Sequence, residues 1–335
     1  TAHDYYLVCE NFSLISYEHR FCDFLNKSAA FCDLCLSRTQ GRKTGAQAVR
    51  RNAVQRTLFH FDKVVFNTPY SQTLLSDTYR LAPEQIEVIE MAMPSEHFHS
   101  AHTVQKTNDD DDQNVRPMKV KIPGNFTREK GAFEILEILE MLRDDPIDFH
   151  ILGREDSSVA ARLDAMNHPN VTRERGYRQT ELAQLLADGD VSINFSIWPE
   201  TYMISLSEAW SAGLIPVVSN LGAPAERVTS GVDGVMIDVN DIGKMAEQLR
   251  ELAYDVKKRE AMRETIREKQ MFRVDAHVES LRSLYAFLLE AAPAQADLPV
   301  EAGRLTFDRQ MYADRAPNNV WSDPGVVWDS EFNGA

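Results

Sequence analysis

The chain has no stretch approaching the roughly 20 consecutive apolar residues of a membrane-spanning helix. Its opening, Thr1-Ala2-His3-Asp4, has neither the basic nor the apolar region of a signal peptide, so the expectation is a cytoplasmic location. It also lacks an initiator Met, as a piece of a longer protein would. Positive charge is in deficit: 36 Lys+Arg against 51 Asp+Glu give a formal charge of −15, which repels nucleic acid and excludes it as a partner. Any phosphate must be held locally. Neither a Walker loop nor a Gly-x-Gly-x-x-Gly fingerprint is present, and there is no internal repeat.

What is present is ordinary globular material. With 43% hydrophobic and 26% charged residues the chain can bury real cores, and at about 100–200 residues per domain its 335 residues imply two. Cysteine is scarce and confined to the start: Cys9, Cys22, Cys32 and Cys35. The last two form Cys-Asp-Leu-Cys, a spacing at which thiolates share one tetrahedral ion. The other gaps, twelve and nine residues, are looser than in a zinc ribbon. A structural zinc, reduced thiols packing a small irregular subdomain, and a disulfide all remain open.

Apolar spacing predicts a helix over 45–61, a strand at 64–66, a helix over 71–79 and a strand at 86–89. Residues 1–106 thus form part of an α/β layer. The polar, like-charged run around Asp109-Asp110-Asp111-Asp112 marks 107–117 as a solvated linker, since nothing fixes its carboxylates around a metal. From 118 to 292 strands and helices alternate regularly. Strands are expected at 118–123, 147–152, 171–173, 191–195, 215–219 and 234–237. The intervening helices are followed by three more, over 242–254, 257–269 and 274–291. This beat implies right-handed crossovers and a doubly wound parallel sheet. Past Pro293 the chain, with Trp321 and Trp328, reads as an irregular tail lying over a surface.

Ligands of such a sheet bind beyond the carboxyl ends of its strands. After the first of these comes Gly124-Asn125-Phe126-Thr127-Arg128-Glu129-Lys130-Gly131, opening into a helix whose amide donors and adjacent cations suit an anion such as a diphosphate. After 191–195 comes a loop leading to Glu200-Thr201-Tyr202-Met203-Ile204-Ser205-Leu206-Ser207-Glu208. For a helix beginning near Thr201, the eight-residue spacing puts both carboxylates on one face, where one ligand touches both. A cap at Glu200 and a solvated face at Glu208 are the plainer alternatives. A third loop, 219–226, predicts a tight turn into a short helix beside the same crevice.

Together these residues resemble the retaining, nucleotide-sugar-dependent glycosyltransferases of family 4. The family's E-x7-E motif stands as Glu200 to Glu208, followed by Ala209-Trp210-Ser211-Ala212-Gly213. The Lys-Gly loop stands as Gly124 to Gly131, and Phe149-His150-Ile151-Leu152-Gly153 matches a further family strand. The likeness covers most of 120–238. Trp198-Pro199-Glu200-Thr201-Tyr202, His3-Asp4-Tyr5-Tyr6 and the four cysteines look like the subgroup that assembles bacterial surface polysaccharide of O-antigen or rhamnan type.

The resemblance implies a GT-B fold, two Rossmann-like domains with parallel sheets, the N-terminal one incomplete because only two residues precede His3. It implies a UDP-, GDP- or dTDP-sugar donor and a glycan or polyprenyl-diphosphate-linked acceptor, with no cofactor needed for catalysis. Carried over, Glu208 holds the ribose and Glu200 a sugar hydroxyl. The amides of Thr201, Tyr202, Met203 and Ile204 face the diphosphate and sugar, Lys130 neutralises the leaving group, and His3 lies by the donor sugar. Gly124 and Gly153 belong to the donor site. Asn125 stands where the family has Arg, leaving Arg128 to replace it; Thr201 and Met203 stand where glycines are common.

Asp188-Gly189-Asp190 superficially matches the metal-binding Asp-x-Asp of the other glycosyltransferase fold, but it precedes a strand. Arg38, Arg42, Lys43, Arg50, Arg51 and Arg56 either meet a lipid diphosphate or the inner face of a membrane, or form a solvated helix face. The rival to an enzyme is a non-catalytic nucleotide-sugar-binding or docking domain of a larger assembly.

Overall fold

A computed structural model of the chain describes residues 1–92, 116–269, 271 and 273–291. Linker residues 107–115 and the tail 293–335 lie outside the described residues. The first 26 residues hold little regular structure: a parallel bridge from Ala2 to Phe66, an antiparallel bridge from Ile15 to Phe21 and a 3-10 turn at Phe24–Asn26. The segment is fixed instead by buried Tyr5, Val8 and Leu14, which join Phe66, Leu75 and Tyr79 in one apolar cluster.

A helix that the apolar spacing does not predict, α1 (Ala29–Gln40), carries both Cys32 and Cys35. Its stop signals are local. Ser28 accepts from the Phe31 amide at 3.2 Å as N-cap, and Gly41 closes the helix at φ 64°. The apolar periodicity that marks other helices is nearly absent from it, which is why spacing alone passes over it. Next come α2 (Ala46–Leu58), β1 (Val64–Phe66), α3 (Pro69–Tyr79) and β2 (Ile86–Val88), with β1 and β2 parallel in the register Val64 to Ile86. Thr68 and Ser71 make a reciprocal capping box that starts α3 at Pro69, two residues earlier than expected.

The second lobe follows the predicted alternation. Its elements are β3 (Met118–Ile122), α4 (Ala132–Met141), β4 (Ile147–Leu152), α5 (Ser157–Met166), β5 (Val171–Glu174), α6 (Gln179–Leu186) and β6 (Val191–Asn194). They continue as α7 (Ile204–Ser211), β7 (Ile215–Ser219), α8 (Ala223–Arg227), β8 (Val235–Ile237), α9 (Ile242–Tyr254) and α10 (Val256–Glu268). The six strands form one parallel sheet in the order β5-β4-β3-β6-β7-β8. Counted from β3 this is 3-2-1-4-5-6, the doubly wound order, whose direction of winding reverses between β3 and β6. Both β6 and β7 are buried along their whole length, as strands covered on two faces must be.

Thr1–Glu290 cluster as one unit. α11 (Val274–Ala291) returns to the first sheet, where Leu284 packs with Val65 and Ile89. Among the described residues no helix is long and apolar enough to cross a membrane. Four of the six basic residues singled out above brace the N-terminal segment. Arg38 stacks on Tyr17, Arg42 pairs with Glu10, Arg50 donates to the Leu7 carbonyl, and Arg51 donates to that of Val8.

Candidate functional site

At the reversal point the loops after β3 and β6 open into a cleft of about 390 Å³, within the range of small-ligand sites. Its walls bring together most of the residues selected from sequence: His3, Gly124, Asn125, Lys130, Glu200, Thr201, Tyr202, Met203 and Ile204. Lys130 ends a 3-10 turn (Arg128–Lys130) that enters α4 through Gly131. Its ammonium pairs with the Glu200 carboxylate and lies 5.8 Å from the ring centre of Trp198. The same Glu200 oxygen accepts from the Ser196 hydroxyl at 2.5 Å. Glu200 is only 7% exposed, so its charge is held by these two donors rather than by water.

The two glutamates do not share a helix face. Met203 adopts φ 65° and delays the helix to Ile204, so Glu200 sits in the loop before it and Glu208 one turn into α7. This left-handed conformation suits glycine, and the buried Met203 side chain anchors it in the main core. Nor is Glu208 solvated. It is 6% exposed, accepts from the Gln179 side chain at 2.6 Å, and burial raises its carboxyl above the usual range, with Gln179 pulling the other way. Burial, and then the charge of Glu208, raise the neighbouring Tyr177 hydroxyl, which accepts from the Gly124 amide at 3.2 Å. Tyr177 thus stands between Glu208 and the Gly124 loop. Gly153 backs that loop so closely that a Cβ there would stand 2.3 Å from the Gly124 carbonyl oxygen.

The N-terminal side of the cleft is His3. Its carbonyl accepts from the Thr201 hydroxyl at 2.7 Å, and its Nδ1 lies 3.4 Å from the Asn67 amide nitrogen. The Thr201 carbonyl in turn accepts from Thr68 at 3.1 Å, so the E-x7-E loop is tied to both β1-side loops. Arg128, Gly153 and Glu208 are not brought to the cleft wall with the others, and the Arg128 guanidinium stacks 4.1 Å over Phe133. Asp188 and Asp190 precede β6 and lie at the opposite, N-terminal end of its sheet. Asp190 is held by Arg116 and the Lys119 amide. Burial pushes the Asp188 carboxyl up, but Lys119 and Lys121 outweigh it and hold it at about 2. Among the described residues, no group of three or more His, Cys, Asp or Glu side chains stands ready to hold a metal ion.

Several site residues escape the sequence reading. Asn194 lines the cleft with its Oδ1 buried and unpartnered, and Gln179 and Tyr177 follow β5. All three obey the rule that ligands meet the carboxyl ends of strands. Arg227 gives no local signal. Half-buried and stacked on the Tyr202 ring at 3.8 Å, it donates to the Tyr202 carbonyl at 2.7 Å, the Met203 carbonyl at 3.2 Å and the Ser207 hydroxyl at 2.6 Å. Arg227→Ala strips two buried carbonyls and a hydroxyl of their donor, a loss of about 2–4 kcal/mol in urea unfolding. Arg227→Lys, a point charge without the planar fork, recovers less than half of it.

Residues 105–269, just under half of the chain, match the family model described as Glycosyl transferases group 1. No curated protein matches the chain. Among solved structures, Anabaena HepE in complex with UDP and glucose is 18% identical with a TM-score of 0.60, covering 71% of this chain and 66% of its own. Sucrose-phosphate synthase from Thermosynechococcus elongatus is 17% identical with a TM-score of 0.60, covering 76% and 64%. A variant of S. aureus TarM in complex with fondaparinux, alpha-GlcNAc-glycerol and UDP is 18% identical with a TM-score of 0.55, covering 73% and 48%. The chain therefore spans two thirds or less of the length of these three structures. The fold is an α/β arrangement of parallel sheets similar to that of GT-B glycosyltransferases.

Proposed function

We propose that this chain transfers a sugar from a UDP-, GDP- or dTDP-sugar to a glycan or lipid-linked acceptor, with retention of configuration and without a catalytic metal. The observation that carries the reading is the meeting of Lys130 and Glu200 at the reversal point of the sheet. Loss of a nucleoside diphosphate builds negative charge on the leaving oxygens while the sugar becomes oxocarbenium-like. Lys130 meets that charge, releasing Glu200 to a sugar hydroxyl. The first amides of α7, which have no intrahelical partners, add donors at the same point. His3 borders the sugar from the other lobe, and the unpartnered Asn194 oxygen is a second acceptor for its hydroxyls. Surface-polysaccharide assembly at the inner face of a membrane is the setting this reading gives the reaction.

Glu208 is the ribose ligand in this reading, and Glu208→Gln tests it. Charge-assisted bonds to the ribose hydroxyls contribute about 1.5–3 kcal/mol, so donor Kd in calorimetric titration rises roughly 10- to 100-fold. Stability moves the other way. A carboxyl raised on folding stabilises the native state below its unfolded value and loses that contribution as pH rises through the folded value. The Gln variant therefore melts at or above wild type, with a margin that widens upward from pH 4.5. Unchanged donor affinity in the variant removes Glu208 from the site. Donor binding without any release of nucleoside diphosphate gives the non-catalytic binding domain instead.

A further inference from the structure

Outside the cleft, one cluster of reactive side chains has no role so far. Cys9 follows the turn at Tyr5–Val8. Cys22, whose amide donates to the Leu14 carbonyl at 2.8 Å, leaves the Ile15–Phe21 bridge. Cys32 and Cys35 lie one turn apart on α1. These four positions, separated by up to 25 residues of irregular chain, all line one cavity of about 20 Å³. None is in a disulfide. The lining holds no carboxylate and no histidine, so the ligand set is purely sulfur. A space of this size takes a single water-sized body, which fits one ion and is too small for an iron–sulfur cube.

Two further side chains fit a charged centre. Four thiolates around a divalent cation carry a net charge of −2 and call for donors in the surrounding shell. The Asn11 amide donates to the Cys35 sulfur at 3.6 Å. Arg51 lines the same cavity; its Nε donates to the Val8 carbonyl at 3.0 Å and its ring-stacked guanidinium lies 4.9 Å over Phe24, which leaves the buried Nη2 as the one nitrogen without a partner. Sulfur ligation by four cysteines selects zinc among the common metals of structural sites.

We propose that Cys9, Cys22, Cys32 and Cys35 bind one Zn²⁺ as a tetrathiolate that staples residues 1–26 to α1. As placed, the four sulfurs line the cavity without yet forming a group that holds a metal ion, so binding has to draw them inward to about 2.3 Å from the ion. The staple replaces the ladder hydrogen bonds that this segment lacks, as metals do in units too small or irregular to hold themselves by apolar burial. The segment it fixes carries Tyr5, whose ring meets Trp198 edge-on at 6.2 Å, and His3, whose carbonyl holds Thr201. The site is structural and stands apart from the proposed transfer chemistry.

The test is metal analysis of the full chain, purified without chelator, reconstituted with excess Zn²⁺ and desalted. The expected result is about one zinc per chain, with all four thiols shielded from a thiol reagent until the metal is removed by a mercurial. Exchange for Co²⁺ then gives the intense ligand-field bands of a tetrahedral thiolate site. Cys32→Ser with Cys35→Ser abolishes zinc retention; because that variant also risks misfolding, the wild-type stoichiometry and cobalt spectrum decide. Zinc well below one per chain with four freely reacting thiols overturns the proposal. So does recovery of Cys–Cys crosslinks in place of thiols, or of iron with acid-labile sulfide.

Discussion

Lys130→Ala lowers the turnover of donor to free nucleoside diphosphate by about 10²–10³-fold, the effect of removing one donor aimed at charge that develops in a transition state. A second loss accompanies it. Glu200, 7% exposed, keeps only Ser196 as a donor once the ammonium is gone, and an under-satisfied buried charge costs about 1–3 kcal/mol of stability. The two effects separate in a double variant. Lys130→Ala with Glu200→Gln removes the charge along with its partner, so urea unfolding returns toward wild type while turnover stays low. A single variant that retains more than about a tenth of wild-type turnover takes Lys130 away from the leaving group.

The sheet of the second lobe was legible because most strands are short apolar or alternating runs between turn residues and most of the helices between them have an apolar face. Periodicity reads both without tertiary information. Val191-Ser192-Ile193-Asn194 and Ile215-Pro216-Val217-Val218 are strands buried on two faces, and their sequences say so. The position of the cleft followed too, since a doubly wound order has one reversal point and Lys130 and Glu200 flank it. What spacing misjudged was local backbone. A helix started at Thr201 would align Glu200 with Glu208, but Met203 at φ 65° holds the chain out of helix until Ile204 and sends the two carboxylates to different partners. Periodicity does not read such a residue; the hint lay in the resemblance, where Met203 stands at a position commonly held by glycine.

Long-range contacts were likewise silent. Arg227 is one arginine among many in the sequence. Its importance arises because α8 brings it under the turn at Tyr202 and Met203, where it also lies within 4.0 Å of Glu90 from the other lobe. Tyr202 donates to that Glu90 carboxylate at 2.9 Å, and burial raises its hydroxyl to about 12, so it remains a donor through the working range of pH. The E-x7-E loop therefore leans on the first lobe at two points, through Thr201 to His3 and through Tyr202 to Glu90. Motif matching finds the glutamates, and only the fold supplies what holds the residues between them.

Gly131→Ala should be the most destabilising single-methyl addition in the molecule, and it reports on the site as well as the fold. The residue sits at φ 72°, where an L side chain strains the backbone by about 1–2 kcal/mol. An added Cβ would stand 2.1 Å from the Phe195 carbonyl oxygen, a backbone atom that cannot rotate away. Relieving that overlap costs about 1–3 kcal/mol more. The total of roughly 2–5 kcal/mol lowers the melting temperature by about 3–8 °C in a unit of this size. Gly41→Ala, at φ 64° with nothing within 4 Å of the added carbon, isolates the backbone part and loses only about 1–2 kcal/mol. The difference lies in what must move. Phe195 precedes Ser196, and the Ile197 amide is pinned to the Glu129 carbonyl at 3.0 Å, so pushing the two loops apart draws Glu200 away from Lys130. Turnover therefore falls at temperatures where Gly131→Ala is still fully folded, by near-ultraviolet circular dichroism, while Gly41→Ala keeps wild-type turnover. A melting shift under about 2 °C would mean that the loops after β3 and β6 yield without cost, and the rigid seating of Lys130 against Glu200 would lose its physical basis.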